Sequence, residues 1–259
     1  ISHVQFESIH PYKDGNGRMG RALMTLQLAK IKNDEPILFL SEIIELYKAS
    51  YYNALTECRN GNVDGFIRFF LQCVVDQCTR NIGRIEKINK VEENYTKNFS
   101  NTQKILLTTD GSITAILDVL YGKITLSTLE QHFDKADCEI SELIHVDEGA
   151  QINYREVIMH KDDENLIYAL SYIPLERLTD EICCDLVRAD IPIGRILKNY
   201  QIESRREVNK IYIEKPNERL KDLFNTKEDM LAREYVIIHK NNVLMWIKEV
   251  FPVSKFTNI

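Results

Sequence analysis

The stretch HPYKDGNGRMGR, residues 10–21, gathers groups that handle phosphate. Asp14-Gly15-Asn16-Gly17 uses residue types that tolerate positive φ and turn backbone N–H groups toward an anion. RMGRALMTLQLAK then starts a helix, whose N-terminal dipole favours phosphate. Arg18 and Arg21 are three apart, on one helical face, as two guanidinium forks for oxyanions. Asp14 offers a hard carboxylate oxygen to Mg2+. His10 precedes the loop, where it could take a proton from an incoming hydroxyl. These parts suffice for nucleotidyl or phosphoryl transfer; a plain turn beside solvated arginines is the bland alternative.

A second set lies near the other end. In VLMWIKEVFP a two-residue period puts Glu249 on the side of Val243, Met245, Ile247 and Phe251. An unpaired buried carboxylate has its pKa raised and can donate a proton near neutrality. In NYREVIMHK, Arg155 shares a face with Asn153, Val157 and Met159, where a guanidinium wants a carboxylate. Two readings stay open: a ligand site, or Arg155 and Glu249 pairing with each other across the sheet.

The elements that must position these groups fall into two regimes. Up to about residue 98, apolar residues recur at three- and four-residue spacing, as in Ile43, Ile44, Tyr47, Tyr51 and Leu55, with breaks at Pro36 and Asn60-Gly61-Asn62. From about residue 150 the period is two, in NYREVIMHK, LIYALSYIP, IESRREVNKIYIEK, REYVIIHK and VLMWIKEVFP. Asp162-Asp163-Glu164-Asn165 and Asn241-Asn242 read as hairpin turns. Residues 104–148 between them are expected to be helical, with ITAILDVLYG and LSTLEQHF as amphipathic pieces. YREVIMHK…LIYALSYIP echoes AREYVIIHK…VLMWIKEVFP, which suggests two similar hairpins in one sheet. The fold class expected is therefore two domains: an all-α bundle over 1–98, and an α+β unit with an antiparallel sheet over 99–259.

With 259 residues, 44% hydrophobic and 28% charged, the chain fits a soluble globular protein. No apolar run of ~18 residues and no basic-then-apolar leader is visible, so a cytoplasmic protein without a membrane partner is expected. The first residue is Ile, so the start is either processed or internal to a longer protein. The six cysteines are scattered and none forms CxxC, which points to reduced thiols and no zinc site. Residues 1–100 hold 13 basic against 12 acidic side chains and the remainder 20 against 27, so neither part has a nucleic-acid binder's basic surplus.

HPYKDGNGRMGR resembles the Fic signature HPFx[D/E]GNGRxxR, with Tyr12 for the usual Phe. FESIH, YYNAL and GFIRFFL extend the likeness over roughly residues 1–95. The resemblance implies AMP transfer from ATP to a hydroxyl of an unknown protein target. His10 would be the general base, Asp14 the Mg2+ ligand, Gly15, Asn16 and Gly17 the anion cradle, and Arg18 and Arg21 the phosphate holders. The helices and β-hairpin flap that precede the motif in this family have no counterpart in the 259 residues, and no [S/T]xxxE[G/N] inhibitory motif is found. The chain is read as carrying the back half of a Fic domain.

TTDGSIT, YREVIMHK, ADIPIGRILKNYQIESRREV and REYVIIHK…MWIKEVFPVSKF resemble the chorismate pyruvate-lyase family, archaeal-type branch, over about residues 100–259. That family splits chorismate into 4-hydroxybenzoate and pyruvate without a cofactor. The resemblance makes Arg155 the grip on the ring carboxylate, Glu249 the acidic residue facing the 4-oxygen, and Ile193 a backbone N–H donor. In the bacterial branch a second arginine stands where this chain has Leu170, so the second carboxylate needs another partner. Arg206 is the candidate, on a strand face with Ile202, Val208 and Tyr212; an ordinary pair with Glu203 or Glu207 is the alternative. A competing reading is a Fic-type adenylyltransferase or regulator whose C-terminal domain only senses a small aromatic acid. Another takes ITLSTLEQHF as part of a winged helix, but STLEQHFDKAD is acidic where phosphate contacts would need Lys and Arg.

Overall fold

The computed structural model describes residues 2–32, 38–95, 98–188 and 191–257. Pro36, and Ala189-Asp190 of the ADIPIGR stretch, lie outside them. The chain divides into two compact units, Ile1–Glu86 and Lys87–Ile259. The division falls inside a long helix, whereas the change of sequence period places the boundary at 98.

The first unit is helical. It comprises α1 (Ser2–Ile9), α2 (Asn16–Lys32), α3 (Ser41–Leu46), α4 (Lys48–Arg59) and most of α5 (Val63–Tyr95). Their apolar stripes close on a core that includes Leu40, Ile43, Tyr51 and Phe66. Glu42 on α3 ties to Arg80 at 2.6 Å and Arg84 at 2.9 Å on α5.

The second unit is built on one six-stranded antiparallel sheet in the order β1-β2-β3-β6-β5-β4. Before the sheet come α6 (Asn101–Thr108) and α7 (Ile113–Tyr121). A capping box between Ser100 and Gln103 starts α6, and Ser112 caps α7. The sheet itself is a doubled β-α-β-β unit. Its first copy is β1 (Thr125–Lys135), α8 (Cys138–Ile144), β2 (Gln151–Lys161) and β3 (Glu164–Pro174). Then α9 (Asp180–Arg188) and α10 (Ile193–Asn199) cross over. The second copy is β4 (Arg205–Glu214), α11 (Glu218–Phe224), β5 (Met230–His239) and β6 (Asn242–Pro252).

The copies match in detail. Asp137 and Asn217 cap α8 and α11, and both helices end on an αL residue, His145 and Asn225. Both first strands carry a bulge, at Thr128/Glu130 and Val208/Lys210. The echoed hairpins β2–β3 and β5–β6 meet through β3 and β6, from Tyr168↔Val250 to Tyr172↔Trp246. The internal echo in the sequence thus becomes two hairpins of one sheet.

Both faces of the sheet are covered. Leu107 of α6, Leu117 of α7, Leu186 of α9 and Ile196 of α10 pack on one face. Ile144 of α8 and Leu220 of α11 pack on the other. β5 is consequently buried along nearly its whole length, which no alternating pattern would announce. One expectation fails outright: LSTLEQHF is strand β1, not an amphipathic helix. Its apolar residues also fit a two-residue period around the bulge, and pairing with β2 decides between the periods. The winged-helix reading of the same stretch falls with it.

Candidate functional site

Register fixes which side chains share the face beneath α6, α7, α9 and α10. One row across the strands reads Arg155, Ser171, Ile247, Tyr235; the next reads Val157, Ala169, Glu249, Arg233. Above them lies a cleft of about 520 Å3, part of it open to solvent. Arg155, Glu249, Ile193 and Arg206 all line it, with Ser112 of the α7 cap and Tyr235 of β5. Four segments far apart in the chain thus deliver the four residues singled out from sequence.

Glu249 is not the unpaired carboxylate expected as a proton donor. Arg233 Nε donates to its Oε2 at 2.6 Å, and the Tyr235 hydroxyl donates to Oε1 at 3.1 Å. Arg233 is 0% exposed and Glu249 5%, so the guanidinium supplies the counter-charge a buried carboxylate requires. Arg233 Nη1 also donates to the Thr109 carbonyl at 2.8 Å, fixing the loop before α7. Its carbon centre lies 4.7 Å from the Tyr235 ring centroid. Burial first, then the charge of Glu249, pushes the Tyr235 phenol far above its ordinary range, so it stays a donor.

Arg155 is 1% exposed. It donates to the Ile191 carbonyl at 3.2 Å and to Thr128 Oγ1 at 3.3 Å. It does not pair with Glu249 across the sheet: β3 lies between their strands, and Glu249 is held from the other side by Arg233. Opposite Arg155 on β3 stands Ser171, the position that corresponds to Glu249 in the second copy.

Arg206 reaches the cleft from β4 and donates to the Asp110 carbonyl at 3.3 Å. The ion pair foreseen for it belongs to its neighbour, as Arg205 binds Glu207 at 3.0 Å. Tyr212 does not share its face. The Val208/Lys210 bulge reverses the alternation, and Tyr212 donates to Glu234 on the far side of the sheet. Leu170 also lies there, against the clusters around Trp246 and Tyr168. A side chain at 170 therefore points away from the cleft. Arg233, Tyr235 and Ser112 went unrecognised in the sequence. The echo of REV by REY marked Arg233 as the counterpart of Arg155, a signal that the two-residue period alone does not use.

In the first unit, residues 10–15 form a loop between α1 and α2. The buried Asn16 side chain holds both backbone groups of Tyr12, at 2.9 and 2.6 Å, and so shapes the turn. Gly15 has φ 85°, and a Cβ there would meet Arg18 at 3.3 Å. A Cβ on Gly17 would meet Arg21 at 3.1 Å. Both arginine side chains thus fold back over the glycines. Asp14 pairs with Arg18 at 3.1 Å, with side chains 91% and 75% exposed. His10 is exposed, in the αL conformation with φ 50°.

Residues 107–258 match the chorismate pyruvate-lyase Rv2949c-like family, and residues 1–28 match the Fic/DOC family. The chain is 40% identical to "Putative lyase MJ0807" of Methanocaldococcus jannaschii, over 65% of this chain and 85% of that one. It is 33% identical to the protein adenylyltransferase Fic of Nematostella vectensis over 28% of this chain, but it spans only 16% of that protein. Among solved structures, the effector domain of PhnF from Mycobacterium smegmatis aligns with a TM-score of 0.47 at 14% identity, over 56% of this chain and 90% of that one.

Proposed function

The chain belongs to the chorismate pyruvate-lyase Rv2949c-like family, and from that premise we propose that its C-terminal unit converts chorismate to 4-hydroxybenzoate and pyruvate. One observation carries the reading: Arg155, Ile193 and Glu249 converge on a single cleft with a mostly apolar lining. Arg155, with the backbone N–H of Ile193, grips the ring carboxylate. Arg206 takes the second carboxylate. Glu249, held by Arg233 and Tyr235, faces the 4-oxygen as a hydrogen-bond acceptor.

The reaction asks little more of the protein. The C4 hydrogen leaves as a proton, its electron pair completes the aromatic ring, and the ether C–O bond at C3 breaks. The departing enolpyruvate takes up one proton and becomes pyruvate, so atoms and charge balance without a cofactor. Fixing the dianion in the reactive conformer is the main catalytic device. Low local dielectric strengthens each charged contact that does so.

For the N-terminal unit we propose a nucleotide-phosphate site that is built like an adenylyltransfer centre but supports little transfer. The way Arg18 and Arg21 fold over Gly15 and Gly17 fits a nucleotide phosphate. Asp14 would hold Mg2+, which supplies charge neutralisation at the phosphates. His10 would take the proton of the target hydroxyl.

Incubating the purified chain with chorismate tests the lyase reading, with 4-hydroxybenzoate and pyruvate quantified together. Equimolar products above the spontaneous rate are expected. Tight binding of 4-hydroxybenzoate with no turnover would replace the lyase by a sensor of aromatic acids.

A further inference from the structure

At one end of the cleft three groups from three elements come together: Ser112 at the cap of α7, Gly194 on α10 and Arg206 on β4. A Cβ on Gly194 would sit 3.0 Å from Ser112 Oγ and 3.6 Å from Arg206 Nη2. The absent methyl group leaves a gap edged by a guanidinium and a hydroxyl. Ser112 Oγ accepts from Ala115 N at 3.4 Å, and its own hydrogen can still be donated. Arg206 is anchored through Nη1 to the Asp110 carbonyl, which leaves Nη2 turned to the gap.

Arg155 marks the opposite end. It lies on β2 and Arg206 on β4, four strand steps apart in the sheet. At about 4.8 Å per step their backbones are some 19 Å apart, and both long side chains reach into the one cleft between. Tyr235, Ile247 and Glu249 form the floor there. A ligand lying across the strands would meet one guanidinium at each end and the carboxylate of Glu249 midway.

We propose that Ser112, Gly194 and Arg206 form a second carboxylate seat, which makes the cleft selective for dianions whose two carboxylates are a ring's length apart, and that Gly194 sets this selectivity. With chorismate the seat takes the enolpyruvyl carboxylate; that assignment rests on the lyase reading, whereas the preference for dianions does not. Gly194 lies in α10 without a positive φ, so alanine fits its backbone, and alanine favours helix over glycine. Gly194→Ala therefore narrows the seat without unfolding the unit.

The test compares two probes by calorimetry: 3-(carboxymethoxy)benzoate, which carries both carboxylates, and 3-methoxybenzoate, which carries only the ring carboxylate. Wild-type protein should prefer the diacid by roughly tenfold or more, as a charge-assisted pair in a partly desolvated site gives. Arg206→Gln and Gly194→Ala should each remove most of that preference and leave the monoacid affinity within about twofold. With chorismate, both variants should raise KM while inhibition by 4-hydroxybenzoate stays unchanged. Equal affinity of wild-type protein for the two probes would overturn the seat, as would a preference that survives in both variants. A diacid preference that both variants remove, found together with no chorismate turnover, would uphold the seat and sink only the lyase reading.

Discussion

Arg155 and Arg233 hold equivalent places in the two β-α-β-β copies, yet in the strand register only Arg233 stands opposite a carboxylate. Its neighbour on β6 is Glu249; the neighbour of Arg155 on β3 is Ser171. A duplicated scaffold has thus been used asymmetrically. One arginine is committed to holding an acid inside the sheet, and its twin lines the cleft. For Arg233 that carboxylate matters, because an ion taken out of water alone costs several kcal/mol.

Ser171→Glu rebuilds in the first copy the pairing found in the second. The new carboxylate should bind Arg155 internally and compete with a ligand for it. The variant should fold, and its affinity for 4-hydroxybenzoate should fall by roughly ten- to a hundredfold in calorimetry. Unchanged affinity would mean that Arg155 is not the carboxylate grip.

Arg233 is expected to matter for stability more than its single carboxylate contact suggests. Arg233→Met leaves Glu249 buried without its counter-charge, at a cost of about 3–5 kcal/mol. Arg233→Met with Glu249→Leu removes both charges and should recover most of that loss. Urea melts followed through Trp246, the one tryptophan of the chain, report on this sheet directly. A double variant no more stable than the single one would show that the loss is one of packing rather than of charge.

What the sequence disclosed divides along physical lines. Hairpins β2–β3 and β5–β6 were legible because period two, turn residues and the Arg-Glu echo agree. Arg155, Ile193, Arg206 and Glu249 were picked out by resemblance and by polar residues on apolar faces, and the fold brings them to one cleft. Strand β1 was misread because LSTLEQHF satisfies two periods and only its pairing with β2 chooses between them. The face of Tyr212 was misjudged because a bulge leaves no mark in composition. The clamp on Glu249 stayed hidden because β5 is buried on both faces, so Arg233 does not interrupt any alternation.

The N-terminal loop carries phosphate-handling groups but exposes them. With Asp14 and Arg18 largely in water, screening weakens whatever charge they bring to a bound nucleotide. The 259-residue chain should therefore transfer little AMP to protein from α-labelled ATP, and His10→Ala should change that background less than twofold, a difference of about 0.4 kcal/mol at most. Strong labelling that disappears in His10→Ala would instead establish a competent transferase.

His3 makes the helical unit less stable as pH falls. Its ring lies 3% exposed between the Gly20 carbonyl, 3.0 Å from Nδ1, and the Tyr51 hydroxyl, 2.9 Å from Nε2. A carbonyl only accepts, so Nδ1 carries the hydrogen and Nε2 accepts from Tyr51 in a neutral ring. Burial, the largest cause, lowers the His3 pKa below its ordinary 6.5. The unfolded chain then binds a proton before the folded chain does. Stability from this residue is complete above about pH 6.5 and declines as pH falls toward the folded value, by at most about 1.4 kcal/mol per pH unit. Amide exchange in α1 and α2, corrected for intrinsic rates, should accelerate between about pH 7 and about pH 5 in wild-type protein by this route. His3→Gln should be less stable at pH 7 yet lack this slope. A wild-type slope that persists in His3→Gln would place the titrating group elsewhere.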